Sequence, residues 1–370
     1  MDMKRDYYED IRLLDSGPQV FWLVVLLGAL AAFPLVADSY QIYTVNLIAI
    51  NVIVALGLNL LVGYTGQISL GHAGFFAIGA YSTLALMLNA HLPFIVALPL
   101  AGFISAAFGF LLGLPALRLE GPYLAIATLG FGLTITQILG RLDVFGGHMG
   151  LQAPPLELFG LKVTSDAGRY AVIMPICVIL TWGLRNLTKT RVGRAFVAVR
   201  DSDIAAECIG VNLTYYKTLA FAVSAFYTGI GGGLMAFILG FISPHTFNVM
   251  VSIMFLAMVV VGGLGSILGS VMGAVLITWL QLELARIGEL PYVGPILTEL
   301  SNQVFTLSGL PNVQYVVFGL IMVLIIIFEP LGLYGFWIRT KIYWRTWPFE
   351  GRVSRKLYAP RTRTVKKRLA

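Results

Sequence analysis

Ten stretches of apolar residues, each close to the length of a bilayer crossing, constrain this chain more than any other feature. They run approximately over 19–37, 43–63, 68–90, 93–117, 122–140, 170–187, 215–242, 249–263, 265–284 and 312–334. A spanning helix needs about 20 predominantly apolar residues. In hydrocarbon the backbone must satisfy its own polar groups, and a helix does so within one segment. The expected fold is therefore all-α, a polytopic membrane protein of about ten transmembrane helices. Composition agrees: only 12% of the 370 residues are charged and 58% are hydrophobic, whereas soluble domains carry about 25% charged residues.

Charge fixes an expected orientation. Eleven of the 25 Lys and Arg residues fall after position 338, against the single acid Glu350. Basic residues next to a span stay on the cytoplasmic side, so the tail reads as cytoplasmic and not as a nucleic-acid arm. Ten spans then place the N-terminus there too, and put segment 188–214, with Lys189, Arg191, Arg194 and Arg200, on the same side. The expected organisation is a cytoplasmic N-terminal segment 1–18, a transmembrane domain 19–337 and a basic tail 338–370. The acids of "MDMKRDYYEDIRLLDSGPQ" argue against a cleaved signal peptide.

The interiors of the ten runs lack Asp, Glu, Lys and Arg; Arg185, Lys217, Glu283 and Glu329 sit at edges, and His72 is the one ionisable interior candidate. Ion-driven carriers use intramembrane charges for coupling. Their absence favours a passive path, or one powered from outside the membrane. Cys177 and Cys208 supply neither a disulfide framework nor a metal cluster, and no metal site or catalytic residue is expected.

Between the second and third runs lies "GYTGQISLGHAG". Gly63, Gly66, Gly71 and Gly74 can break a helix, and Thr65, Gln67, Ser69 and His72 can bond freed backbone groups or a solute. Broken helices in transporters mark binding or gating sites. The segment is thus the first candidate for a translocation pathway, either as a midplane break or as a turn at the cytoplasmic surface. His72 reads first as a structural hydrogen-bonding residue. Small-residue faces at Gly265, Gly269 and Gly273, and at Gly229 and Gly233, are expected to pack helices closely.

Residues 194–209 contain no Pro or Gly, and Ala195, Val199, Ala206 and Ile209 recur at helical spacing. One short amphipathic helix is expected there, ended by Gly210. It can lie on lipid headgroups or insert into a groove on a partner.

"GYTGQISLGHAGFFAIGAY", "LRLEGPYLAIATLGFG", "GGHMGL", "GRAFVAVRDSDIAAECIGVNLTYYKTLAFAVSAFYTGIGGGL" and "MVVVGGLGSILGSVMGAV" occur in this order. Together they resemble the permease subunits of branched-chain amino acid ABC importers, most closely the LivM type. The resemblance implies a bacterial inner-membrane permease domain that pairs with a second, related permease subunit. It implies two cytoplasmic ATPase subunits and an extracytoplasmic solute-binding protein. It also makes 188–214 the coupling segment, with Gly193, Arg194, Ala195, Val199, Arg200, Asp201, Ala205, Ala206 and Gly210 in the ATPase-coupling helix. The chain has no G-x-x-x-x-G-K-[ST] phosphate loop, so ATP and Mg are expected on the partner chains and no cofactor on this one. The implied solute is a branched-chain amino acid; urea, amides and aromatic acids are the alternatives within the family. A transporter or channel working alone is the rival reading.

Overall fold

The computed structural model describes residues 17–287, except 120, 159, 160 and 164, and residues 319–346 in part. Twelve α-helices order the described chain: α1 (Gly17–Val36), α2 (Ser39–Asn59), α3 (His72–Leu88), α4 (Phe94–Ala116), α5 (Pro122–Arg141), α6 (Asp166–Lys189), α7 (Arg191–Asp201), α8 (Asp203–Cys208), α9 (Leu213–Leu239), α10 (Val249–Gly262), α11 (Ile267–Ile287) and α12 (Gly332–Thr346). The first nine expected spans coincide with α1 to α6 and α9 to α11. Most of the tenth, segment 285–311 and most of the basic tail lie outside the described residues. Among the described residues, five helices are long and apolar enough to cross a membrane: Ser39–Tyr64, Phe94–Ala116, Pro122–Arg141, Asp166–Lys189 and Leu213–Leu239.

α9 is the central post. Its 27 residues pack along α2, α3 and α4, and most of its length is buried. Close approach of backbones makes this possible. Gly79 of α3 and Gly229 of α9 face each other, so a Cβ on Gly79 would collide with the Gly229 backbone. Gly229 also admits Ser105 of α4, and Gly233 admits Thr83 of α3 and Leu98 of α4. Where lipid tails are as apolar as the helices, such contact is a main source of cohesion. α2 lies beside α9 and is itself buried from Asn46 to Asn59 save for Ile48. Its interior polar side chain Asn51 donates to Thr278 of α11 at 2.9 Å.

Two membrane helices are short. α3 has 17 residues and α10 has 14, about 25 and 21 Å, against a hydrocarbon core of about 30 Å. Irregular chain makes up the difference, and it does so from opposite ends. Residues 66–71 lead into α3 from the end where α7 lies. Residues 240–248 lead into α10 from the other end, where β4 (Phe241–Ile242) pairs antiparallel with β1 (Leu151–Gln152). A hairpin of β2 (Leu156–Leu158) with β3 (Leu161–Val163) lies before α6.

The expected single helix at 194–209 is instead two. Ser202 interrupts it with φ −167° and ψ 117°, and its side chain accepts the Ala205 N–H, starting α8 afresh. Thr190 caps α7 in the same way through the Val192 N–H. The hydroxyls offer the backbone a capping partner, and that local option outweighs continuous helix. The expected glycine face on α11 also needs correction. Gly269 and Gly273 lie on the helix, packed against Gly262 and Met258 of α10, but Gly265 precedes it in the α10–α11 turn.

Candidate functional site

α2 does not end as a simple helix. Residues Leu60–Tyr64 form one π turn, and Thr65 Oγ1 donates back to the Leu61 carbonyl at 2.6 Å. Gly66 then reverses the chain with φ +73°, a backbone conformation that costs side-chain-bearing residues about 1 kcal/mol or more. The Gln67 N–H returns to the Leu61 carbonyl at 3.1 Å.

The next residues run back among the helices, where every freed backbone group needs a partner. Side chains distant in sequence supply them. The Leu70 N–H donates to Thr128 Oγ1 of α5 at 3.0 Å. The Ala73 N–H donates to Ser252 Oγ of α10 at 2.8 Å. His72 is fully buried; its Nδ1 pairs with Ser69 Oγ at 3.1 Å and its Nε2 with Ser224 Oγ at 2.8 Å. A neutral ring has one donor and one acceptor nitrogen, so both hydroxyls satisfy it. His72 therefore ties the start of α3 to α9.

Depth can be read from helix rise. Ser224 stands eleven residues into α9, about 16 Å from its start at about 1.5 Å per residue. Gly66, by contrast, lies under Arg200 of α7. The segment thus reaches close to the mid-length of α9. It enters at the α7 end and starts α3 partway along the bundle.

Of the candidate pathway residues, Gly63, Thr65, Gln67, Ser69, Gly71, His72 and Gly74 are buried within the chain, and Gly66 is exposed. Gly71 lies against the Thr128 backbone and Gly74 against Gly132, both on α5. The segment is thus a brace between α7 and α5. Gln67 Oε1 is buried without a hydrogen-bond partner among the described residues.

Arg200 is the joint at its α7 end. Nη1 donates to the Gly63 carbonyl at 3.2 Å, and Nε and Nη2 hold Asp201 Oδ1 at 3.0 and 2.9 Å. The guanidinium also lies over Gly265, and Asn59 completes the junction. Its Oδ1 accepts the Gly265 N–H and its Nδ2 donates to the Ser266 carbonyl, both at 2.9 Å. Gly265 has φ +73°, the same as Gly66. The two turns read Val62-Gly63-Tyr64-Thr65-Gly66 and Val261-Gly262-Gly263-Leu264-Gly265. That recurring V-G-x-x-G was the signal by which Gly265 could have been placed in a turn instead of on a helix face.

The rest of the candidate coupling residues divide by side. Gly193, Ala195, Val199 and Ala206 are buried against the bundle, Gly193 directly on the Thr188 backbone. Arg194, Asp201, Ala205 and Gly210 are exposed. Ile204 and Ile209 stand out at 78% and 75% exposure, and Lys217 of α9 pairs with Asp203 to anchor α8 from below. Among the described residues no group of His, Cys, Asp and Glu could hold a metal ion.

Comparison with known proteins bears directly on this arrangement. Residues 40–326 match the family described as branched-chain amino acid transport system / permease component. The chain is 37% identical over 284 residues to the high-affinity branched-chain amino acid transport system permease protein LivM of Salmonella typhimurium, covering 70% of this chain and 67% of that one. It is 36% identical over the same length, with the same coverage, to LivM of Escherichia coli K12. The autoinducer 2 import system permease protein LsrC of Shigella flexneri is 27% identical over 184 residues, 48% of this chain and 51% of that one. No solved structure matches.

Proposed function

The chain belongs to the family of branched-chain amino acid transport permease components, and from that premise we propose that it is one membrane subunit of an ATP-driven importer. Its solute is a branched-chain amino acid or a similar small molecule. A second permease subunit completes the path, two cytoplasmic ATPases act on α7 and α8, and an extracytoplasmic binding protein delivers the solute. The α7 end is the cytoplasmic end, and both termini lie there. ATP and Mg bind the partner chains.

The observation that carries this reading is the construction of the α7–α8 segment. Two protruding isoleucines, Ile204 and Ile209, lie beside exposed Arg194, Asp201 and Glu207. An apolar anchor rimmed by charge is the anatomy of a protein-binding patch. Behind that patch, Arg200 donates to the Gly63 carbonyl, and Asn59 ties that end of α2 to Gly265 after α10. A push received at Ile204 and Ile209 is therefore delivered to the ends of α2 and α10.

Reconstitution tests the proposal. The full importer in proteoliposomes, supplied with ATP inside and leucine-loaded binding protein outside, is expected to accumulate leucine. Accumulation or flux of equal rate without the ATPase subunits would overturn it in favour of a transporter working alone.

A further inference from the structure

Two of the uncovered helix surfaces contrast. On α4 the exposed residues are all apolar or proline, with Ile95, Leu100, Phe103 and Leu111 prominent among them. That surface suits acyl chains. α12 is built differently. Its 15 residues reach about 22 Å, short of a hydrocarbon core of about 30 Å, and Arg339, Lys341 and Arg345 interrupt them. It does not cross the bilayer. The last apolar run, 312–334, ends where α12 begins, so the helix starts where the chain leaves the hydrocarbon.

Two stripes of α12 are uncovered. Trp337, Lys341 and Trp344, spaced by four and three residues, share one face. Phe336, Arg339 and Tyr343, spaced by three and four, share another. All six are exposed, Trp337 and Trp344 at 48% and 71%. Each stripe sets a cation between two aromatic rings. Arg339 is engaged, donating from Nη1 to Glu329 Oε1 at 2.9 Å. Lys341 has no acidic partner among the described residues. Tryptophans collect at the membrane–water interface, and basic side chains beside a span attract anionic headgroups.

The seat of α12 links this surface to the joint described above. Gly332 opens the helix with φ +66°, and a Cβ there would collide with the backbone of Val261 and Gly263. The first turn of α12 thus rests on the α10–α11 turn, whose Gly265 is held by Asn59. Tyr334 in that first turn lies within electrostatic range of Tyr64, which closes the π turn that Arg200 holds.

We propose that α12 is a lipid-reading element: its Trp337–Lys341–Trp344 stripe binds the phosphate of an anionic phospholipid in the leaflet at the α7 end, and its seat passes that contact to the Arg200 joint. The Lys341 ammonium meets the phosphate, and the two indoles lie at headgroup level with their N–H groups toward water. Charge complementarity and the adjoining span favour lipid over a groove on a protein.

The delipidated full-length chain in detergent is titrated with phosphatidylglycerol, with phosphatidylcholine as the reference, and the thermal midpoint is followed. Phosphatidylglycerol is expected to raise the midpoint and phosphatidylcholine is not. Lys341→Glu, and Trp337→Ala combined with Trp344→Ala, are expected to weaken the apparent affinity at least about tenfold. Lys341→Arg and the charge-matched tail variant Lys367→Glu should keep it. No rise in the wild type, or equal losses in Lys341→Glu and Lys367→Glu, would overturn the stripe as a lipid site. So would loss of the ATPases from Lys341→Glu with the lipid response intact, which would mean a protein contact. In vesicles, adding phosphatidylglycerol to phosphatidylcholine is expected to raise ATP-driven leucine uptake by the wild type and not by Lys341→Glu; equal responses would overturn the link to the joint. The titration does not depend on uptake, so an importer that carries no leucine would fail the function proposed above while the lipid site is still decided.

Discussion

Arg200 Nη1 donates to the carbonyl of Gly63 across 137 residues of sequence. That bond joins the segment proposed to meet the ATPases to the π turn that ends α2. A charge-assisted hydrogen bond contributes about 1.5–3 kcal/mol, so its loss should matter more to communication than to folding of a bundle this size. Arg200→Ala is expected to cut ATP-driven uptake at least about tenfold while the ATPases remain bound and hydrolyse ATP. Arg200→Lys, which keeps the charge but not the fork, should restore only part. Uptake and hydrolysis falling in equal proportion would instead mean that the ATPases no longer dock.

The brace at residues 66–74 depends on two hydroxyls. Thr128→Val leaves the half-buried Leu70 N–H, and Ser252→Ala the buried Ala73 N–H, without its acceptor. Each should destabilise the protein by about 1–3 kcal/mol, read as a lowered thermal midpoint in detergent. Gly71→Leu should be worse, because even a Cβ there collides with the Thr128 backbone; unchanged stability and uptake would show that the brace is dispensable.

His72 and Ser224 form a pair suited to a double-mutant cycle. His72→Ala and Ser224→Ala should each destabilise, and the double variant should fall short of their sum by about 0.5–1.5 kcal/mol. Strict additivity would show that the 2.8 Å contact contributes nothing.

Close packing around α9 gives a test with an internal reference. Gly79→Ala places a methyl group into the Gly229 backbone, and overpacking of a tight interface costs about 1–3 kcal/mol. Gly28→Ala on α1 meets nothing within 4 Å and should leave the thermal midpoint unchanged. Equal behaviour of the two variants would remove the argument that glycines set the α3–α9 distance.

The apolar runs made nine of the helices legible, because hydropathy over about 20 residues is a strong local signal. What escaped was whatever depends on partners far along the chain. The fate of 63–74 turned on Thr128 and Ser252, which lie 58 and 179 residues from the groups they satisfy. Nothing near Gly66 in sequence announces them. Ser202 was visible as a residue but not as a break, since helix propensity on both sides masked its capping role.

The π turn at Leu60–Tyr64 has a consequence for how α2 responds to load. A π turn holds one residue more than the α turn it replaces. Returning that residue to α-helix would lengthen the regular part of α2 by about 1.5 Å and rotate the chain beyond it by about 100°. Gly63, whose carbonyl Arg200 holds, is inside the turn. A pull on that carbonyl is thus a pull on spare thread. The helix can let it out or take it up by a change of winding, with Asn59 and everything before it left in place.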